Sequence, residues 1–308
     1  MIVSELAPDE LRRRLRGAGL RVRTGPLVQN IRSRLDEVAA GLALHYAAHP
    51  VEDQHGFADF HIEVHRPAGL RSWFRPQVMF SFDGGQPFAP LPGHQGYPLL
   101  EWGLNWCIFS HCPQYLSVHS AVLERHGRAL LLPAPSGSGK STLCAALAFR
   151  GWRLLSDELA VIDPQSGQAM AIPRPISLKN QSIEVIRDYV AEAVFGPAVP
   201  ETSKGRVAHV RPPADSVAAA ATPALPHWVV LPQYRADAAS TLQALPKTEA
   251  LMLLLEQSFN FNVHGAPGFH VLADLVDRCA CYRYTYSRLD DAVALFDRLD
   301  HEARLGCG

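Results

Sequence analysis

Apolar positions along this chain change their period near residue 115. Before that point, "FADFHIEVH" (57–65) alternates Phe60, Ile62 and Val64 with polar neighbours. "PQVMFSFDGGQPF" does the same with Val78, Phe80 and Phe82, then reaches Asp83-Gly84-Gly85. Period two ending in a glycine turn predicts an antiparallel sheet with one buried face. "PLLEWGLNWCIFSH" (98–111) carries Leu100, Leu104 and Ile108, with Trp102 and Trp106, and predicts a largely buried helix. Its tryptophans are expected to pack in the core rather than to wall a binding site.

From His119 onward the pattern becomes strand, loop, helix, strand. "RALLLPA" (128–134) is a short apolar run, the mark of a strand buried on both faces. After a glycine-rich loop, "STLCAALAFRG" predicts a helix stopped by Gly151. "WRLLSDELAVID" resumes as strand, with Ser156-Asp157-Glu158 near its middle. Residues 195–226, rich in Pro, Ala and small polar residues, read as a long mobile segment. "HWVVLPQY" and "CYRYTYS" predict further strands and "LDDAVALFDRLD" a closing helix. The expected organisation is a smaller α+β domain over residues 1–115 and an α/β domain over residues 116–308.

Composition adds limits. The 308 residues hold 47% apolar and 19% charged residues with a formal net charge of -1. That balance gives no general electrostatic reason to expect nucleic acid or an anionic membrane as partner. No run of eighteen apolar residues occurs and "MIVSELAPDELRRRLRG" is charged from its fifth residue, so neither a signal peptide nor a membrane span is expected. Six cysteines at 107, 112, 144, 279, 281 and 307 make no Cys-x-x-Cys pair. They read as structural thiols in a reducing cytosol, and the expected location is cytoplasmic.

The chemistry concentrates in "APSGSGKST": Ala134, Pro135, Ser136, Gly137, Ser138, Gly139, Lys140, Ser141 and Thr142. Between a buried strand and a helix, such a loop turns backbone N–H groups toward phosphate oxygens, and the helix N-terminus adds partial positive charge. Lys140 is placed for the β/γ-phosphates and Ser141 for Mg²⁺, so ATP and Mg²⁺ are the expected ligands. Gly137 and Gly139 supply conformational freedom, and Ala134, where the usual pattern has glycine, requires a negative φ. Asp157 and Glu158, on a strand expected beside the loop strand, leave room for one base and one metal or supporting ligand. No guanine-reading Asn-Lys-x-Asp motif occurs.

These residues stand in the register of HPr kinase/phosphorylase, whose catalytic domain this stretch resembles. That family has a histidine fifteen residues before the first loop position, and His119 stands fifteen before Ala134. Its loop "GDSGVGKS" is followed by "RGHRL" and an acidic pair seventeen residues past the lysine. Here the counterparts are "APSGSGKS", "RGWRL" and Asp157-Glu158. Over the whole chain the sequence is similar to a group called HPr kinase-related kinase A, through "LLEWGLNWC" (99–107), "SLKN" (177–180), "KGRVAH" (204–209) and "SFN" (258–260).

The resemblance implies a P-loop kinase core of the HPr kinase and phosphoenolpyruvate carboxykinase type behind the α+β domain. It implies ATP-dependent transfer to a hydroxyl, with Asp157 as base, His119 close to the transferred phosphoryl and Lys140 stabilising charge on it. Ser141, Glu158 and Asp157 are the implied metal residues. The family's Glu-x-Arg-Gly-x-Gly motif has no counterpart, since "IPRPISLKN" starts at Ile172. That departure puts the phosphorylase half of the activity in doubt. Arg174, Lys179, Lys204 and Arg206 are candidate phosphate or acceptor contacts, with the last two in a lid. Serine of a peptide or small protein is the favoured acceptor, with a small-molecule hydroxyl next and a nucleotide-dependent switch as the rival reading. A PqqD-like peptide-binding protein is an implied partner, and related enzymes assemble into rings.

Overall fold

The computed structural model describes residues 1–67, 74, 76–135 and 137–305. Its strands are β1 (Leu20–Thr24), β2 (Leu27–Ser33), β3 (Phe60–His65), β4 (Gln77–Phe82), β5 (Leu91–Pro92), β6 (Leu116–Arg125), β7 (Arg128–Pro133), β8 (Arg153–Ser156), β9 (Leu159–Ile162), β10 (Ile176–Lys179), β11 (Val199–Thr202), β12 (Gly205–Val210), β13 (Leu225–Tyr234), β14 (Thr241–Ala244) and β15 (Ala280–Tyr286). The helices are α1 (Pro8–Arg16), α2 (Asp36–His45), α3 (Gly96–His111), α4 (Lys140–Ala148), α5 (Gln181–Tyr189), α6 (Ala214–Ala218), α7 (Lys247–Glu256), α8 (Phe261–His264), α9 (Ala266–Arg278) and α10 (Leu289–Leu305). Among the described residues no helix is long and apolar enough to cross a membrane.

Two compact units divide the chain. The first holds Met1–Cys112, Ile172–Ile183 and Val194–Ala221; the second holds Pro113–Ala171, Glu184–Ala193 and Thr222–Gly308. The first unit thus takes two segments from beyond the boundary expected after residue 115. Buried polar contacts hold them there. His45 Nε2 bonds the His209 carbonyl at 3.0 Å and His49 Nε2 the Pro173 carbonyl at 2.8 Å. Arg211 donates to the Leu44 carbonyl. A backbone carbonyl removed from water needs such a donor.

The first unit carries a five-stranded sheet in the order β1-β2-β3-β4-β5. The predicted β3–β4 hairpin pairs antiparallel, Ile62 opposite Phe82 and Val64 opposite Phe80, and β2 joins β3 in parallel. The turn that follows β4 places Asp83 at φ 47° and Gly84 at φ 84°. Helix α3 buries Leu99, Leu100, Leu104 and Ile108, as its spacing predicts. Gly103 admits the Phe80 ring: a Cβ there would lie 2.0 Å from it. Trp106 packs edge-on to Phe82 and Phe88, in an aromatic cluster rather than a binding wall.

A second sheet in this unit, β10-β12-β11, corrects the reading of residues 195–226 as mobile. β12 carries no alternation to mark it, since its last four residues are buried in succession. Val207, Ala208 and Val210 are fully buried against β10, and Gly205 turns the β11–β12 hairpin at φ 82°.

The second unit is built on a seven-stranded sheet ordered β14-β15-β13-β7-β6-β8, with β9 also paired to β6. β7, β13 and β15 run parallel, and β6 is antiparallel to β7. Ala129 to Leu132 of β7 are fully buried, which an apolar run without alternation requires. Each leucine removed from water there contributes about 1.5–3 kcal/mol. Helix α4 buries Leu143, Cys144, Ala145, Ala146 and Leu147 and ends before Gly151, at φ 92°.

Candidate active site

The loop between β7 and α4 lies in the second unit, at the end of a fully buried strand. Gly137 and Gly139 both take positive φ, 89° and 91°, a region open to glycine at little cost. Ala134 is buried and is absent from the described non-glycine residues with positive φ, so the missing glycine is accommodated. Gly139 is the N-cap of α4 and offers no capping side chain. The loop is braced from two neighbouring strands. Tyr234 N–H donates to the Ser138 carbonyl at 2.9 Å, and the Tyr286 hydroxyl to the Gly139 carbonyl at 3.0 Å. Pro135 is exposed, Ser141 and Thr142 are half-buried at the start of α4, and Ser136 lies outside the described residues.

Lys140 is buried at the first turn of α4, and its Nζ lies 2.7 Å from His119 Nε2. His119 Nε2 also lies 3.2 Å from Glu158 Oε2. Helix start, β6 and the β8–β9 junction thus bring three sequence-distant groups to one point.

The acidic pair does not sit mid-strand. β8 and β9 both pair with β6, Ser156 opposite Val122 and Leu159 opposite His119, and pairing lapses at Asp157 and Glu158. The two carboxylates have different neighbours. Glu158 turns to His119. Asp157 is buried, and its carboxylate acts on the Cys144 thiol of α4. Burial first, and that carboxylate second, push the thiol's pKa well above its ordinary value. Cys144 stands one helical turn after Ser141, so Asp157 faces the side of α4 that bears the Ser141 hydroxyl. Glu158 is thus an acidic neighbour of His119 Nε2.

A segment without obvious chemistry in the sequence completes the site. Gln257 accepts the His119 backbone N–H through its carbonyl at 2.8 Å, and its Oε1 lies 3.2 Å from His119 Nδ1. Phe259 N–H donates to the Ser117 carbonyl at 2.9 Å; Asn260 Oδ1 accepts Ser117 N–H at 2.9 Å and its Nδ2 donates to the Tyr115 carbonyl at 2.8 Å. The "SFN" signature is therefore a clamp on β6, with Phe259 6.1 Å from the His119 ring.

The four basic candidates belong to the first unit. Arg174 is buried, with its guanidinium on the buried Glu101 carboxylate and on Asn105. Lys179 lies on β10, where its N–H and carbonyl bond the Ser182 hydroxyl. Lys204, in the β11–β12 turn, sits over the Trp102 ring at 5.4 Å, and Arg206 lies exposed on β12. Both stand on the β11–β12 hairpin.

Cys107, Cys112, Cys144, Cys279 and Cys281 are free and buried, and Cys307 lies outside the described residues. Among the described residues no group of three or more His, Cys, Asp and Glu side chains is arranged for a metal ion. What the site offers is narrower: the Ser141 hydroxyl and, from the β8–β9 junction, the Asp157 carboxylate, the hard oxygen donors that suit Mg²⁺ bound largely through phosphates and water.

No family model matches the chain. Among curated proteins it is similar to HPr kinase/phosphorylase of Streptococcus salivarius and of Streptococcus thermophilus, each 29% identical over 83 residues, or 27% of either length. HPr kinase/phosphorylase of Streptococcus equinus is 30% identical over 83 residues, again 27% of either length. The match spans about a quarter of those relatives, and it supports a distant HPr kinase-like relationship.

Proposed function

We propose that this chain is an ATP-dependent kinase of the P-loop type that transfers the γ-phosphoryl group to a hydroxyl acceptor. The observation that carries the reading is the convergence of Lys140, His119 and Glu158 at the N-terminus of α4. A phosphate-binding loop alone explains binding. A histidine–carboxylate couple held against its lysine supplies what transfer also needs, a proton acceptor.

In this reading the phosphates lie along the backbone of residues 134–142, where the helix N-terminus and Lys140 offset their charge. Lys140 then leaves His119 for phosphate and uncovers the Nε2 lone pair. The acceptor oxygen attacks the γ-phosphorus as the bond to the ADP oxygen breaks. The acceptor proton passes to His119 Nε2, and Glu158 stabilises the imidazolium. Ser141 and Asp157 are the oxygen donors for Mg²⁺, which when bound neutralises charge on the β- and γ-phosphates. This exchanges the expected duties of the two acids, because Glu158 lies beside His119.

The distant relatives are named for a kinase that acts on HPr, and serine of a peptide or small protein is the acceptor we favour here. A PqqD-like peptide-binding protein is a candidate to present it. The test is γ-labelled ATP with Mg²⁺ and a cytosolic lysate, with the His119→Gln protein as control. Label in a protein or small-molecule fraction that requires the intact enzyme establishes the kinase and its acceptor class. Absence of label with nucleotide binding intact replaces it with a nucleotide-dependent switch.

A further inference from the structure

The segment Gln257–Asn260 does more than cover an edge of β6. We propose that Gln257 is a positioning residue that fixes the His119 imidazole as the Nδ1–H tautomer, so that the lone pair on Nε2 faces Lys140 and Glu158. That this serves phosphoryl transfer rests on the kinase reading; the tautomer itself does not.

The argument starts from Nε2. Its neighbour at 2.7 Å is the Lys140 ammonium, which has three donors and no acceptor. A neutral ring can meet it only with an unprotonated Nε2. The second neighbour, Glu158 Oε2 at 3.2 Å, attracts a proton that arrives on Nε2 later. The ring's one proton therefore belongs on Nδ1, and it needs an acceptor there. Gln257 Oε1 lies 3.2 Å from Nδ1 and supplies it. A glutamine amide suits this position because it accepts without adding a second negative charge beside Glu158.

The fold gives the amide little freedom to drift. Gln257 is anchored by its own carbonyl to the His119 N–H at 2.8 Å, so side chain and backbone grip the same residue. The next residues continue the grip. Ser258 pairs with Val118 as a bridge, Phe259 N–H bonds Ser117, and Asn260 bonds Ser117 and Tyr115. Ring orientation, backbone position and proton placement thus come from one short segment that follows α7. The hydrogen bond at one ring nitrogen sets the state of the other, and for metal-binding histidines loss of the orienting group costs about 10- to 100-fold.

The test uses the full chain labelled with ¹⁵N-histidine, with the His119 signals identified by their loss in His119→Gln. Long-range ¹H–¹⁵N correlation spectra distinguish a protonated from an unprotonated ring nitrogen. In the wild type at a pH where the ring is neutral, Nε2 is expected as the unprotonated nitrogen. Gln257→Met keeps the shape and removes the acceptor, and the Nε2–H form should appear. Gln257→Glu restores an acceptor and should return the wild-type pattern. A wild-type ring protonated on Nε2, or a Gln257→Met spectrum identical to wild type, overturns the lock.

Kinetics read the consequence separately. Gln257→Met should lower kcat about 10- to 100-fold with the KM for ATP unchanged, and Gln257→Glu should recover most of it. An altered tautomer with unchanged kcat would overturn the catalytic role. A shifted tautomer in a protein that labels nothing would leave the lock standing and remove the kinase reading instead.

Discussion

The Tyr286 hydroxyl donates a 3.0 Å hydrogen bond to the carbonyl of Gly139, tying the last strand of the sheet to the residue that starts α4. A Cβ at Gly139 would lie 2.5 Å from that hydroxyl and 2.8 Å from Tyr234 Cβ, at φ 91°. Gly139→Ala should therefore displace the loop and abolish Mg-ATP binding in calorimetric titration. Tyr286→Phe removes one neutral hydrogen bond, about 1 kcal/mol, and should weaken affinity only about fivefold. Wild-type affinity in Gly139→Ala would show that the braced loop is not where nucleotide binds.

Lys140→Ala removes the buried ammonium at the head of α4. Hydrogen bonds to charged groups are worth about 1.5–3 kcal/mol, so ATP affinity should fall roughly 10- to 150-fold, with transfer lost. Equilibrium binding of a fluorescent ATP analogue checks the first and γ-phosphate transfer the second. Undiminished transfer would take the loop out of the mechanism.

The two acids should part company. Glu158→Gln is expected to keep nucleotide affinity within a few-fold while transfer falls about 10²-fold, the low end of a general-base contribution, because the His119 imidazolium loses its counter-charge. Asp157→Asn should instead raise the Mg²⁺ concentration needed for half-maximal transfer, because Asp157 faces the Ser141 side of α4. A Mg²⁺ titration of both variants decides the matter. If Asp157→Asn loses transfer at saturating Mg²⁺ and Glu158→Gln does not, the base is Asp157.

The first unit carries a pH dependence of its own. Burial lowers His45 and His49 from 6.5 to about 4 each. A histidine whose folded pKa lies below its unfolded value takes up a proton on unfolding. Its stability contribution is complete above about pH 6.5 and is lost as pH falls toward 4, by about 2 kcal/mol per histidine between pH 7.5 and pH 5. Glu101, whose pKa burial raises, works in the opposite sense. Urea unfolding of wild type and His49→Gln at both pH values separates them. The variant should be less stable at pH 7.5 and lose about 2 kcal/mol less on acidification. Parallel losses would exclude His49 as the titrating group.

Period, punctuation and spacing in the sequence determined much of this protein. Alternation at Phe60, Ile62 and Val64 marks β3, the unbroken run at Ala129 to Leu132 marks β7, and Gly151 marks the end of α4, because each pattern reflects burial within one element. The glycines at 137 and 139 announced the loop, since few other residues take its positive φ. The tertiary structure alone decided what depends on partners distant in sequence. Which acid meets His119 turns on where β8 gives way to β9 along β6, an event no local period records. Arg174 reads as a free cation until Glu101 is found beside it. Gln257 carries no chemical signal of its own, for an amide gains a role only from the ring nitrogen that packing sets against it.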